Sequence, residues 1–213
     1  MIEDSATVKA VRGYTLLEAP YEFGTDNLMD LSHIEFVHKG SFAGAGVIFA
    51  GTHKVVDEGD TLRSNWWMPS VAALGPTMGQ FPPDMLTDHW LDMRWNAPAS
   101  MHLEIGACPK DTERGTGIIV QQCHILSPAS ATTTHYFWAT TRTHDLQSLE
   151  TDSFLRILLA QAFDEEDKPI IKAAFENLEG EDCWAARPLS LGIDAGGTRV
   201  RRKLEAMIAR ESA

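Results

Sequence analysis

Gly51-Thr-His-Lys-Val-Val-Asp-Glu-Gly-Asp-Thr-Leu-Arg-Ser-Asn-Trp-Trp-Met68 is the stretch on which the fold turns. Two runs of strand-forming residues, Gly51–Val56 and Thr61–Met68, flank Asp57-Glu58-Gly59-Asp60. Acidic residues and a glycine between such runs favour a tight reversal, so the segment predicts a β-hairpin and with it an antiparallel sheet. Asp92–Ile105, Thr116–Leu126 and Thr132–Thr141 repeat the β-branched and aromatic chemistry, with turn formers at Lys110–Gly115 and Ser127–Ser130. Thr7 to Ala19 alternates as a first strand that Ala19-Pro20 stops, and Ser70–Asp88, rich in proline and glycine, reads as a long loop. Helical periodicity appears in Asn27–His38, where Thr25 or Asp26 would cap the start and Gly40 the end. It returns in Ser153–Leu178 and Val200–Glu211, with Gly180–Thr198 irregular between them. Strand, helix, many strands, helix is the order of an α+β domain, with helices packed on one face of an antiparallel sheet.

The chain has 213 residues, of ordinary globular composition (44% hydrophobic, 23% charged). Its formal net charge of -12 disfavours a nucleic-acid partner, because the long-range field repels phosphate. Cys108, Cys123 and Cys183 are too widely spaced for a disulfide framework or a metal knuckle, which points to a reducing cytoplasm. The acidic opening MIEDSATVKAV has no apolar core for a signal peptide, and no run approaches a membrane span.

The chemistry concentrates in Asn27-Leu-Met-Asp30-Leu-Ser-His33-Ile-Glu-Phe-Val-His38. Two neutral imidazoles and one carboxylate, with positions left open, suit ferrous iron that activates dioxygen. Asp30 and His33 are neighbours on a helical face, whereas His33 and His38 lie about 140° apart on an ideal helix. To share a metal, either His38 sits at an unwinding end or the helix is distorted. Otherwise both are surface histidines of an amphipathic helix. A third ligand would come from Asp164-Glu165-Glu166-Asp167. On the late helix the apolar arc is Leu155, Leu159, Phe163, Ile170, Ile171, Ala174 and Leu178. Asp167 falls near the middle of that arc, and a buried carboxylate needs a cation. The competing reading is that Pro169 breaks the helix and Asp167 caps the next one.

Asp26–His38 closely resembles the iron-binding segment of Rieske non-haem iron oxygenase large subunits, nearest to the vanillate and dicamba O-demethylase oxygenases. The likeness extends through Gly13-Tyr14, Asp92-Met-Arg-Trp-Asn96, Cys123-His-Ile-Leu-Ser-Pro128, His135-Tyr-Phe137 and Ala160-Gln-Ala to Glu166-Asp167-Lys168. It implies that His33, His38 and Asp167 hold a mononuclear Fe(II) and that Asp30 bridges, between subunits, a Rieske-cluster histidine and an iron-ligand histidine. It also implies that Asn27, Asn96 and His124 face the substrate. The fold it implies is a helix-grip domain of the START/Bet v 1-like kind, a curved antiparallel sheet around a long helix. Trp66, Trp67, Met68 and Tyr136 could supply aromatic walls.

By the same likeness, residues 1–213 form the mononuclear-iron domain alone, since the C-x-H and C-x-x-H pairs of a [2Fe–2S] Rieske domain are absent from this chain. Electrons would come from a Rieske or ferredoxin partner and a reductase. The substrates would be dioxygen and a small aromatic compound, methoxylated or carboxylated, in O-demethylation or ring hydroxylation, and the assembly a homotrimer. Two other functions use the same residues: a non-catalytic helix-grip module that binds a small molecule without iron, and a zinc hydrolase on the His, His, Asp set.

Overall fold

In a computed structural model, which describes residues 4–39, 46–73, 77, 79–186 and 188–211, the expected hairpin is present. β2 (Thr52–Glu58) and β3 (Thr61–Ala72) pair with Glu58 opposite Thr61, and Gly59 at φ 75° makes the two-residue reversal. From there the chain meanders through β4 (Leu86–Asn96), β5 (Ser100–Pro109), β6 (Ile118–Ser130) and β7 (Thr133–Arg142). The first strand, β1 (Lys9–Leu17), closes the sheet against β7. The result is one seven-stranded antiparallel sheet in the order β1-β7-β6-β5-β4-β3-β2.

The helices are α1 (Tyr21–Met29), α2 (Ile34–Val37), α3 (Val47–Ala50), α4 (Leu149–Ala160), α5 (Lys168–Glu176) and α6 (Ala195–Glu211). Directly paired residues share a face of the sheet, so the register identifies the core. Trp66, Leu91, Ile105 and Val120 form one buried row, and Leu62, Trp95, Met101, His124 and Trp138 another. Each fully buried large apolar side chain there contributes roughly 1.5–3 kcal/mol. These rows and α4–α5 form the curved sheet around a long helix that the resemblance implied. The β7–α4 junction is fixed by Arg142, whose buried guanidinium donates to the carbonyls of His144, Asp145 and Ser148 and to the Asp152 carboxylate. Among the described residues no helix is long and apolar enough to cross a membrane.

Several expected boundaries move. Asp92–Ile105 is not one strand but the end of β4 and the start of β5, reversed at Ala97-Pro98-Ala99, where proline removes a ladder donor. The Ser70–Asp88 loop is shorter than expected because β3 and β4 run into it; residues 74–76 and 78 lie outside the described residues, as does Gly40. Neither Thr25 nor Asp26 starts a helix. α1 begins after Pro20, the Thr25 hydroxyl donates to the Tyr21 carbonyl, and Asp26 pairs with Arg201 on α6. α6 takes in Ala195–Thr198, the end of the stretch expected to be irregular, because Gly196 and Gly197 let it approach Met29 and Asp26 closely.

On the outer face of the sheet, Trp90 lies flat over Gly106, where a Cβ would fall 1.9 Å from the indole. Gly106→Ala is therefore expected to lower stability by about 1–3 kcal/mol through overpacking. Gly115→Ala, at a glycine with open space around it, should change it little. Urea midpoints of the two variants check the contrast.

Candidate metal centre

The segment with both histidines is not one helix. At Met29 α1 stops because Asp30 (φ -103°, ψ 79°) leaves the helical basin, and its carboxylate accepts from the backbone N–H and hydroxyl of Ser32. A 3-10 turn, Leu31–His33, leads into α2, and His38 caps its end at φ -90°, ψ 34°. Of the two ways by which these histidines could share a metal, the unwinding end is the one adopted. The 140° separation disappears, and the two Nε2 atoms stand 3.2 Å apart. Glu35 braces the arrangement from behind, its buried carboxylate accepting from the N–H groups of Gly46 (2.6 Å) and Ile48 (2.8 Å).

The acid arrives from the late helix by a second distortion. Between α4 and α5, Gln161–Asp167 winds as a π-helix, with the Lys168 N–H bonded to the Phe163 carbonyl, one residue further back than in an α-helix. Pro169 gives the reason: it has no N–H for the Glu165 carbonyl, and in a straight helix its ring would collide with that carbonyl. Asp167 nevertheless stays helical (φ -75°, ψ -51°) and makes no side-chain cap, so the helix is widened and not broken. Ala162, Phe163, Asp167 and Ile171 face inward, while Ile170 and Ala174, expected on the same arc, are exposed because the wide turn rotates the face.

Asp167 Oδ1 lies 3.5 Å from His33 Nε2 and 3.4 Å from His38 Nε2, and it has no hydrogen-bond donor among the described residues. His33 Nδ1 donates to the Asp30 main-chain carbonyl, and His38 Nδ1 to Glu166 Oε2 at 2.8 Å. Neither acceptor can donate, so in the neutral rings both Nε2 atoms present lone pairs. Burial holds the His33 imidazole below its ordinary pKa; Asp167 opposes this and His38 adds to it. Three electron-rich atoms thus face one another in a largely buried site. Ligands about 2.1 Å from a shared divalent ion sit roughly 3–3.5 Å from one another, so these side chains fit a single cation. They form a metal-competent cluster of His33, His38 and Asp167.

The sheet supplies the opposite wall. His124 is buried, its ring edge-on to Phe163 and its Nδ1 2.7 Å from the Tyr136 hydroxyl. Burial pushes the His124 pKa down to about 3 and pushes the Tyr136 hydroxyl well above its ordinary value. Both therefore stay neutral, and in the tautomer where Tyr136 donates to Nδ1 the proton of His124 sits on Nε2. That Nε2 and the Nε1 of Trp138, its cross-strand neighbour, are buried without a protein partner among the described residues.

Asn27 lines both a small cavity shared with Tyr136 and Asp167 and a groove of about 380 Å³ that also reaches Asp30 and His33. Asn96 does not join the other expected residues. It pairs with Ser100, one position along from the buried row, and so shares the outer face with Ile125 and Phe137. Trp67 is likewise turned outward under the Arg114 guanidinium, whereas Trp66 and Met68 are in the core. Asp30 meets His33 through its carbonyl; its carboxylate is occupied with Ser32. Sequence reasoning missed Glu166, Gln161 and Trp138. Alternation along β7 places Trp138 on the same face as Tyr136, but nothing in an ideal helix puts Glu166 beside Asp167 on one target.

The family model described as the vanillate O-demethylase oxygenase C-terminal domain matches residues 17–210. The oxygenase component of chloroacetanilide N-alkylformylase from Rhizorhabdus wittichii (strain DC-6 / KACC 16600) is 32% identical over 203 residues, 94% of this chain and 58% of that protein. The oxygenase component of dicamba O-demethylase from Stenotrophomonas maltophilia is 29% identical over 208 residues, 96% of this chain and 60% of that protein. Among solved structures, dicamba monooxygenase bound to dicamba superposes with a TM-score of 0.86 at 27% identity, covering 99% of this chain and 63% of that one. The chain thus spans about three fifths of the length of these relatives.

His124 gives the fold a pH dependence of predictable sign. Its folded pKa of about 3 lies below the unfolded value near 6.5, so the unfolded chain takes up the proton first. The stability associated with the neutral ring is complete above about pH 6.5 and is lost as pH falls toward 3. Between pH 7 and pH 5 this one group should account for about 2 kcal/mol. Urea unfolding at the two pH values should show a drop that His124→Gln makes smaller by that order.

Proposed function

The chain belongs to the vanillate O-demethylase oxygenase C-terminal domain family, and from that premise we propose that it is the iron-bearing catalytic part of a multicomponent aromatic oxygenase. The observation that carries the proposal is the convergence of His33 Nε2, His38 Nε2 and Asp167 Oδ1 within 3.5 Å of one another. Two imidazoles and one carboxylate with open positions are the donor set of non-haem iron oxygenases. Ferrous iron held by these three residues would supply the activation of dioxygen.

The chain's own side chains do the rest. Phe163, Tyr136 and Trp138 pack together and keep water from the sheet side of the centre. The N–H groups of His124 and Trp138 offer two buried donors to an acceptor oxygen, which favours an aromatic substrate bearing a methoxy or carboxylate group. Asn27 borders the same space. Asp30 holds the His33 ring through its carbonyl, and both line the groove that opens to the surface. Electrons would reach the centre from that side, supplied by a [2Fe–2S] Rieske domain or ferredoxin and a reductase in the cytoplasm. The homotrimer implied by the family likeness would bring such a cluster from a neighbouring subunit.

The chain purified anaerobically is expected to bind close to one equivalent of Fe(II), with binding lost in His33→Ala, His38→Ala and Asp167→Ala. Supplied with dioxygen and an external reducing partner, it should release formaldehyde from a methoxybenzoate. Iron content unaffected by all three substitutions, or a marked preference for zinc over iron, would overturn the proposal.

A further inference from the structure

Each ring nitrogen of His38 faces a carboxylate, and the two carboxylates are consecutive in sequence. Asp167 Oδ1 lies 3.4 Å from Nε2, and Glu166 Oε2 lies 2.8 Å from Nδ1. Glu166 is itself tied down, its other oxygen accepting from the Gln161 side-chain amide at 3.1 Å. Gln161 and Asp167 are the first and last residues of the π-helical segment. In an ordinary α-helix consecutive side chains diverge by about 100° and serve different neighbours. In the wide turn, Glu166 and Asp167 instead straddle one imidazole.

Resting on the metal reading above, we infer that Glu166, braced by Gln161, is a positioning residue for the metal centre. It fixes the His38 tautomer so that Nε2 keeps its lone pair for the cation, and it sets the angle of the ring. Through the charge on its carboxylate it also makes His38 the stronger of the two nitrogen donors. His33 lacks that assistance, because its Nδ1 donates to a neutral main-chain carbonyl. The two histidines are therefore inequivalent, and the π turn serves the ligand set twice: it points Asp167 inward and brings Glu166 under the ring. Partners of this kind, hydrogen-bonded to the far nitrogen of a ligating histidine, commonly change metal affinity about 10–100-fold when removed. Glu165, the adjacent acid, is exposed and has no such contact among the described residues, which makes it the internal control for charge alone.

The test is Co(II) titration of the metal-free full chain, followed by absorption in the visible region, with melting of the metal-free proteins measured in parallel. Glu166→Ala should weaken Co(II) binding about 10–100-fold. Glu166→Gln, whose amide oxygen still accepts from Nδ1, should recover most of the affinity. It should nevertheless shift the Co(II) bands, because a neutral amide replaces the charged carboxylate behind the ring. Gln161→Ala should fall between the two, and Glu165→Ala should behave as the unmodified chain. Glu166→Ala binding within about twofold of the unmodified chain, with unshifted bands in Glu166→Gln, overturns the inference. If Glu166→Ala does not fold, Glu166→Gln decides alone, and unmoved bands overturn it. An unmodified chain that takes up no Co(II) overturns the metal reading itself, an outcome distinct from variants that all bind alike.

Discussion

Two imidazole nitrogens and a carboxylate oxygen stand 3.2, 3.4 and 3.5 Å apart, and the carboxylate oxygen has no hydrogen-bond donor among the described residues. Bringing such atoms together is unfavourable unless a cation neutralises them. The local structure around them acts against their separation. Asp30 ends α1 and starts the turn that delivers His33, and Glu35 ties α2 to the start of α3. Pro169 makes the late helix wind wide at the point where Asp167 must face inward. Helix irregularity is otherwise rare and weakly stabilised, and π turns in particular cluster at functional sites. Here two separate irregularities, on helices from opposite ends of the chain, terminate on the same few cubic ångströms.

Much of this was legible before any coordinates. Alternation and turn chemistry located the hairpin at Asp57–Asp60 and the antiparallel sheet, because a half-buried strand writes its two faces into every second residue. The buried arc of the late helix singled out Asp167 among four adjacent acids, since only that position combined charge with an inward direction. Residues whose placement depends on departures from ideal geometry were not legible. A helical wheel assumes a constant turn angle, so it puts Ile170 on the core arc, whereas the widened helix leaves that side chain exposed. The break at Asp30 is invisible to periodicity, because the aspartate that ends α1 also begins the next turn. Asn96 failed for a different reason. Its strand ends in a three-residue reversal, and one position along a strand decides which face a side chain joins.

Helices and sheet divide the chemistry. The candidate ligands, and Glu166 behind them, come from helical segments or, for His38, the cap of one, whereas His124 and Trp138, whose ring nitrogens lack a partner among the described residues, come from β6 and β7. Helical ligands are stiffened by local bonds and by carboxylates that cannot move without exposing charge, so the centre is insulated from changes on the sheet. The sheet residues take their direction from register, from the His124–Tyr136 hydrogen bond and from ring packing against Phe163.

The electrostatics follow the same division. On the helical side anionic and carbonyl oxygens dominate: the Asp167 and Glu166 carboxylates within reach of His38, and the Asp30 main-chain carbonyl on His33. On the sheet side the nearest polar atoms are N–H donors on neutral rings, kept neutral because burial penalises the imidazolium of His124 and the phenolate of Tyr136 alike. A dication is attracted to the first wall and an acceptor oxygen to the second, and neither preference weakens the other. Charging His124 would abolish the distinction by placing a cation on the wall that otherwise offers only neutral donors. The depressed pKa of that ring is therefore part of what keeps the two walls chemically different at neutral pH.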